Sequence, residues 1–330
     1  MSNTGADYRV AIVSEAVCQE VITRADAFTA VESVFAAMAK EEARNFPVVR
    51  EALSQGGPLY GFKSGYDATG QVLGVKSGGY WPGNTAKGLT NHQSIVALFD
   101  PGTGRLKALV GGNYLTAIRT AAASAISIRH LARKDARVLG MVGAGHQAAF
   151  QMRAAAEQRS FEKVLAWNPH PDMLPRLAQV ADEIGLPFEA VEREHLCADA
   201  DVIITITSAF EPLLKSEWIR PGTHLTCMGT DTIGKQEVEP AILARAKVFT
   251  DEIAQSASIG EAQHAVAQRI LEPNDIVPIG RVIIGAHPGR TDARDITLFD
   301  GTGVGLQDLA AAATALRRAE ELGRVSYTHL

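Results

Sequence analysis

The sequence predicts an α/β protein, a doubly wound parallel sheet joined to an N-terminal α+β domain. Three observations predict it. From 59 to 112 the chain reads as short strand-like segments, LYGFKSGY, QVLGVKSGG, SIVALFD and RLKALVGG, with turn chemistry at DATG and DPGTG inside two pairs. Further on the rhythm becomes strand, helix, strand through RVLGMVG, KVLAWN, DVIITITS, THLTCMG and KVFTD. The first of those strands runs into a helix through Gly143-x-Gly145-x-x-Ala148.

Taken in order, residues 26–44 begin at Asp26, a capping residue type, and place Phe28, Val31, Val34, Phe35 and Met38 on one helical face. The paired segments over 59–112 predict an antiparallel sheet. An Ala- and Ile-rich helix is expected from Leu115 to Arg133. The strand and helix alternation beyond it predicts parallel strands, and Leu306–Leu322, after the Gly-rich FDGTGVG, is amphipathic and expected to fold back on the first domain.

With 330 residues, 46% hydrophobic and 21% charged, the chain has material for two domains. A net charge of -5 and the lack of any Lys/Arg block argue against nucleic acid as a partner. The opening MSNTGADYRVAIVSEAV has no charged segment followed by an apolar one, and no stretch reaches the roughly 18 apolar residues of a membrane span. The expectation is a cytoplasmic protein with no membrane partner. Cys18, Cys197 and Cys227 are few, odd in number and far apart, so buried thiols are expected, with neither a disulfide framework nor a metal site.

The glycine turn carries the first chemical signal. After a strand and before a helix, Gly143 permits the tight turn, Gly145 lets backbone approach a pyrophosphate, and Ala148 lets helix and sheet pack closely. Unpaired N–H groups at the helix start favour the phosphates. This is the Rossmann-type pattern for a dinucleotide. An acid at the end of the second strand would hold the ribose hydroxyls, and an arginine would receive a 2′-phosphate. Here Asn168-Pro169-His170 offers neither, which leans to NAD and leaves NADP open. Thr205, Thr207 and Ser208 fall at a strand C-terminus, where open α/β sheets bind ligands.

GVKSGGYWPGN (74–84), LTAIRTAAASA (115–125), GMVGAGHQA (140–148), ADVIITITS (200–208) and MGTDTIGKQEV (228–238) together resemble the ornithine cyclodeaminase and mu-crystallin family over most of the chain. That resemblance implies a homodimer, a substrate-binding and dimerisation domain over 1–119 plus 312–330, and an NAD(P)-binding domain over 120–311. It also implies chemistry on an amino or imino acid whose carboxylate is clamped by Arg50, Lys76 and Arg119, with Asp231 as the acid group over the reacting carbon. His92, at a strand entrance, is a further candidate to donate or shuttle a proton. The cofactor is expected against Asn91, Thr120, Gly143, Gly145, His146, Gln147, Ala148, Asn168, His170, Thr207, Ser208, Met228, Gly229 and Gly301.

These residue types suit that chemistry. An α-carboxylate entering a partly dry pocket needs fixed cations, and Arg119 near a helix start adds a guanidinium fork to a positive dipole end. Gly74, Gly78 and Gly79 around Lys76 leave room for a ligand to approach the strand. Singly, an Arg, Lys or Asp is ordinarily a solvated or salt-bridged group, and only the joint pattern lifts these.

Cyclodeaminase members of the family hold a second substrate amine with a glutamate that falls here around Gly61, Phe62 and Lys63. No acid stands there, and the Lys63 cation suits a second carboxylate instead. The expected reaction is therefore reduction of an imino acid by a hydride from NAD(P)H, with iminosuccinate, giving L-aspartate, as the matching dicarboxylate. The alternatives are an ornithine-type cyclodeaminase and a mu-crystallin-like protein that binds cofactor without turnover.

Overall fold

The computed structural model describes residues 8–54 and 57–329. Residues 1–7, part of the segment inspected for a leader, lie outside the described residues. Two compact units divide the chain, 1–119 with 304–330, and 120–303.

The first unit opens with strand β1 (Arg9–Val13) and helices α1 (Glu15–Val21) and α2 (Arg24–Ala39). Helix α2 begins earlier than Asp26 because Thr23 caps it. The Thr23 hydroxyl accepts from the Asp26 N–H at 3.1 Å and the Asp26 carboxylate accepts from the Thr23 N–H at 3.1 Å. Asp26 is thus the third residue of a capping box, a device worth about 1 kcal/mol. The helix ends at Ala39, and the end of the expected helix is instead a strand, β2 (Ala43–Asn45). Then come β3 (Val49–Ala52), β4 (Leu59–Asp67), β5 (Val72–Tyr80), β6 (His92–Phe99), β7 (Leu106–Gly111) and the long helix α3 (Asn113–Leu131). The β4–β5 turn is tied by Asp67, which accepts from the Thr69 and Gly70 N–H groups, and the β6–β7 turn by Asp100, which accepts from Thr103.

The second unit alternates β8 (Val138–Val142), α4 (His146–Ala156), β9 (Lys163–Trp167), α5 (Leu174–Glu183), β10 (Phe188–Ala190), α6 (Arg193–Asp199) and β11 (Val202–Thr205). It continues with β12 (His224–Cys227), α7 (Pro240–Arg245), β13 (Ala246–Thr250), α8 (Ile253–Ile259), α9 (Gln263–Ala267), β14 (Val277–Pro278), α10 (Ile279–Ile283) and β15 (Ile296–Asp300). All its paired strands are parallel, in the order β10-β9-β8-β11-β12-β15-β13-β14. The chain winds outward from β8 to β10 and then returns to the other side of β8, which makes the C-terminal ends of β8 and β11 a topological switch point. Separate apolar clusters cover the two faces, one around Leu165, Ile203 and Leu225, the other around Leu139, Met141 and Ile204. Burial on both sides explains why these strands read as continuous apolar runs.

The chain then re-enters the first unit with α11 (Gly305–Glu321) and β16 (Ser326–His329). The first sheet has the order β16-β1-β7-β6-β5-β4-β2, with β3 also on β4. Its meander from β4 to β7 is antiparallel, whereas β1 joins β7 in parallel. The return begins at Val304, eight residues before the expected boundary at 312, because α11 lies on this sheet from its first turn. Gly305, Leu306, Gln307, Asp308 and Leu309 are all buried. Two glycines let the helix come that close: a Cβ on Gly65 would stand 3.0 Å from Leu306 and one on Gly74 would stand 2.8 Å from Leu309.

Cys18, Cys197 and Cys227 are buried free thiols. Among the described residues no helix is long and apolar enough to cross a membrane, and no group of three or more His, Cys, Asp or Glu is placed to hold a metal.

Candidate functional site

In the first unit, strand pairing sets Lys63 of β4 directly opposite Lys76 of β5. Paired residues share a face, and both side chains are buried on the face that α11 covers. Arg119, two turns into α3, is also buried. Asp308 of α11, fully buried, joins two of these cations. Its carboxylate lies 2.9 Å from the Lys76 Nζ and 2.8 Å from the Arg119 Nε. Arg119 donates a further bond to the Gln307 Oε1 at 2.8 Å, and the Lys76 Nζ donates to the Thr116 hydroxyl at 3.3 Å. Arg50, half-buried, sits opposite Gly61 on β4 and adds its field at Lys76.

Burial pushes the Lys76 ammonium down to about 8, with Asp308 pulling it up and Arg119 and Arg50 pulling it down. Burial alone would raise the Asp308 carboxyl, but Arg119 and Lys76 hold it at about 2. Among the described residues of this unit, the buried charged side chains are Lys63, Lys76, Arg119 and Asp308. Three buried cations and one buried carboxylate therefore meet here, and fixed cationic donors in a buried setting suit anionic ligand groups.

Two expectations about this cluster need correction. The glycines around Lys76 do not open a path for a ligand: Gly74 makes room for Leu309, and Cβ atoms on Gly78 and Gly79 would strike backbone of the neighbouring strands. Nor does the α3 dipole act strongly on Arg119, since that field fades within the first turn and the helix starts at Asn113. His92 shares the Lys76 face, but stands four residues further along the β5–β6 register, about 13 Å at the usual rise. Asn91 accepts from the Thr85 N–H and hydroxyl and donates to the Tyr80 hydroxyl, bonds that shape its own loop.

In the second unit the glycine turn forms where expected. Gly143 has φ +113°, and a Cβ there would stand 2.5 Å from the Ile206 carbonyl oxygen, so no other residue fits. Gly145 caps α4, and a Cβ on it would meet nothing within 4 Å, which leaves open space before the helix. Ala148 is fully buried, and the Gln147 Oε1 is buried with no partner. Open room at Gly145, directly before the N-terminus of α4, fits a dinucleotide phosphate turn. His146 is exposed at the helix start. Asn168, expected against the cofactor, braces the turn: its Oδ1 accepts from the Ala144 N–H at 2.9 Å and its Nδ2 donates to the His170 carbonyl at 2.8 Å. His170 itself is exposed, and Thr120 is buried on α3.

At the C-terminal ends of β11 and β12, Glu237 was not foreseen. Fully buried, it accepts from the Thr205 hydroxyl at 2.7 Å, the Thr207 N–H at 2.6 Å, the Thr207 hydroxyl at 2.8 Å and the Gly229 N–H at 2.9 Å. Thr207 and Gly229 are therefore fixed by one carboxylate. Glu261 in turn accepts from the Glu237 and Val238 N–H groups and from the Thr230 hydroxyl. Burial, followed by the neighbouring Glu237, raises the Glu261 carboxyl to about 8. Ser208 lies just beyond Thr207 and is exposed. Met228 packs against Gly301, where a Cβ would come within 2.4 Å of its sulfur. Asp231 extends from the same loop, partly exposed, 2.9 Å from the Lys235 Nζ.

Asp308, Gln307, Thr116, Glu237 and Glu261 escaped the reading of the sequence. A first-turn Asp such as Asp308 reads as an ordinary dipole partner, and only the S/T-rich strand end near Glu237 hinted at a polar network.

Residues 9–322 match the Ornithine cyclodeaminase/mu-crystallin family. The chain is 59% identical, over 94% of its length and 97% of the other's, to the iminosuccinate reductase of Paracoccus denitrificans. The crystal structure of that enzyme in complex with NAD+ superimposes with a TM-score of 0.94, covering 98% of this chain and 100% of that one at 57% identity. Alanine dehydrogenase of Archaeoglobus fulgidus is 31% identical over 93% of this chain and 94% of its own. The Thermococcus litoralis Delta(1)-pyrroline-2-carboxylate reductase, in complex with NADH and L-proline, superimposes with a TM-score of 0.91 at 27% identity, over 96% and 99% of the two chains. With its glycine turn, its Arg119-Thr120 helix and a family match along nearly its whole length, the chain belongs to the ornithine cyclodeaminase/mu-crystallin family.

Proposed function

We propose that this protein is an NADH-dependent imine reductase that converts iminosuccinate to L-aspartate. The observation that carries the reading is the gathering of three buried cations, Lys63, Lys76 and Arg119, in the first unit, two of them opposite each other on adjacent strands. Fixed cations on separate elements suit a substrate with two carboxylates. The similarity to an iminosuccinate reductase supports the same assignment.

The residues divide the work. Lys76 and Arg119, with Arg50 beside them, are assigned to the carboxylate next to the imine carbon, and Lys63 to the distal one. Held at both ends, the substrate loses the freedom to turn its reacting carbon away. Gly143, Gly145 and the α4 N-terminus are assigned to the pyrophosphate, and Thr207, Ser208, Met228, Gly229 and Gly301 to the rest of the dinucleotide. Bound NADH supplies one hydride to the imine carbon. Asp231 is assigned the proton at the imine nitrogen, so that iminosuccinate, NADH and one proton give aspartate and NAD+. A cation at Lys63 disfavours the second amine of ornithine, which is why the cyclodeaminase reading is set aside.

The assembly belongs to the same proposal. On the sheet face opposite Lys63 and Lys76, the row Val49, Phe62, Ser77 and Ile95 carries three exposed apolar side chains, with Tyr60 next to it and hydrogen-bonded to Ser77. A second copy is its natural cover, giving a homodimer, and we place the protein in the cytoplasm.

The test follows the absorbance of NADH with oxaloacetate and ammonium, pyruvate and ammonium, or each component alone. The expected result is consumption of NADH that requires both oxaloacetate and ammonium and yields aspartate. Ammonia release from ornithine with catalytic NAD, or tight NADH binding without turnover of any imine, would overturn the proposal.

A further inference from the structure

The cluster contains a group that no substrate contact requires. Asp308 reaches the two clamp cations from an element far along the chain, and its position is built with care. Gly65 and Gly74 on the sheet admit α11 at close range. Gln307, the residue before it, takes the other arm of Arg119, and Thr116 takes a bond from Lys76. Both side chains of the clamp are thereby fixed in direction before any ligand arrives.

Its charge matters as much as its geometry. Without Asp308, Lys76 and Arg119 would lose the carboxylate that joins them while the fields of Arg119 and Arg50 still bear on Lys76, and like charges at short range favour loss of a proton from the weakest holder. Arginine keeps its proton under these conditions, so a lysine gives way. Lys76, drawn down to about 8 even with Asp308 beside it, is that group. The groups facing Lys76 are Lys63 from β4, Arg50 from β3, Arg119 and Thr116 from α3, and Asp308 from α11.

We propose that Asp308 is a positioning residue for the substrate clamp, a resident counter-ion that keeps Lys76 charged and Lys76 and Arg119 aimed. This rests on the clamp reading given under Proposed function. One carboxylate oxygen on each cation fixes both side chains, and loss of that carboxylate would discharge Lys76.

The experiment compares Asp308→Asn with the unaltered full-length protein, as the ratio of kcat/KM for oxaloacetate plus ammonium at each pH, so that the solution chemistry of the imine cancels. The expected ratio falls by about tenfold or more between about pH 6 and about pH 9, then levels off, as Lys76 of the variant loses its proton at lower pH. Asp308→Glu keeps the charge and is expected to keep the ratio flat while raising KM. NADH affinity, read by fluorescence titration, stays unchanged in both. A ratio for Asp308→Asn that is flat with pH, at any level, overturns the proposal. If Asp308→Asn does not fold, Asp308→Asn with Lys76→Met decides: a folded double variant supports charge coupling between the two, and an unfolded one reduces Asp308 to packing and overturns the proposal. Lys76→Met alone separates the two levels. Activity near that of the unaltered protein removes the clamp reading itself, whereas collapse of Lys76→Met together with a flat ratio for Asp308→Asn removes only the role of Asp308.

Discussion

The two units bury charge in opposite ways. In the first, the buried set is Lys63, Lys76 and Arg119 against Asp308. In the second, the set among the described residues is all carboxylate: Asp201, Glu237, Asp251, Glu261 and Asp300. Asp201 is met by Arg133 and Arg220 as well as by backbone N–H groups, and the others chiefly by backbone N–H groups and hydroxyls. Glu237 and Glu261 collect backbone N–H groups and hydroxyls from the loops they tie down, and Asp251 accepts from the Thr302 N–H and hydroxyl and the Gly303 N–H. A carboxylate answered by several fixed donors is a structural rivet. In the first set a single carboxylate joins two cations, Lys76 and Arg119. Carboxylates ringed by fixed donors hold the fold, whereas clustered cations offer a seat for an anionic ligand.

That contrast breaks most visibly at Lys76. Lys76→Ala should lower kcat/KM for the imine by roughly a hundred- to a thousandfold, the equivalent of about 3–5 kcal/mol for one partner of a buried charge pair, in steady-state assays. Its counterpart in the second unit is Glu237→Ala, which leaves four donors without an acceptor. That variant should lose about 3–5 kcal/mol of stability, seen as a lower urea midpoint at unchanged slope, and a preserved midpoint would deny Glu237 its riveting role. Lys63→Ala sharpens the contrast within the first unit. It should raise KM for the dicarboxylate by roughly ten- to a hundredfold and barely touch the pyruvate imine, a difference of about 1.5–3 kcal/mol.

The smallest effect is one of pH. Glu261 binds its proton more tightly in the folded protein, up to about 8, than an ordinary carboxyl does at 4.5. Stability from this group is complete below the ordinary value and declines as the pH rises toward the folded one, because the unfolded chain releases the proton first. Asp300, raised by burial to about 7, acts in the same sense. Urea midpoints measured from about pH 5 to about pH 8 should therefore fall, and fall less in Glu261→Gln. An equal slope in the two proteins would mean that Glu261 is ionised throughout.

Local signals were the legible part. Gly143-x-Gly145 could be read because a turn is made by neighbours in sequence, and the DATG and DPGTG hairpins for the same reason. Helix α2 was displaced by a few residues because Asp26 serves equally well as cap or as third residue of a capping box, and only Thr23 in its observed geometry decides. Strand β15 went unnoticed in DITLFDGTG, since a five-residue segment with three apolar residues next to glycines carries no clear period of its own. Gly74, Gly78 and Gly79 were visible as permissive positions, yet whether a ligand, a strand or a helix fills the space depends on partners remote in sequence. Asp308 is the extreme case: 189 residues separate it from Arg119, and no local pattern links them.

The divided first unit sets a timetable for synthesis. Residues 120–303 leave the ribosome before α11 does, so the second unit has its whole sequence in hand while the sheet of the first still lacks its covering helix. During that interval Lys76 and Arg119 have yet to meet Asp308, and burying the two cations together without it is costly. The clamp takes its final form only once α11 has been made.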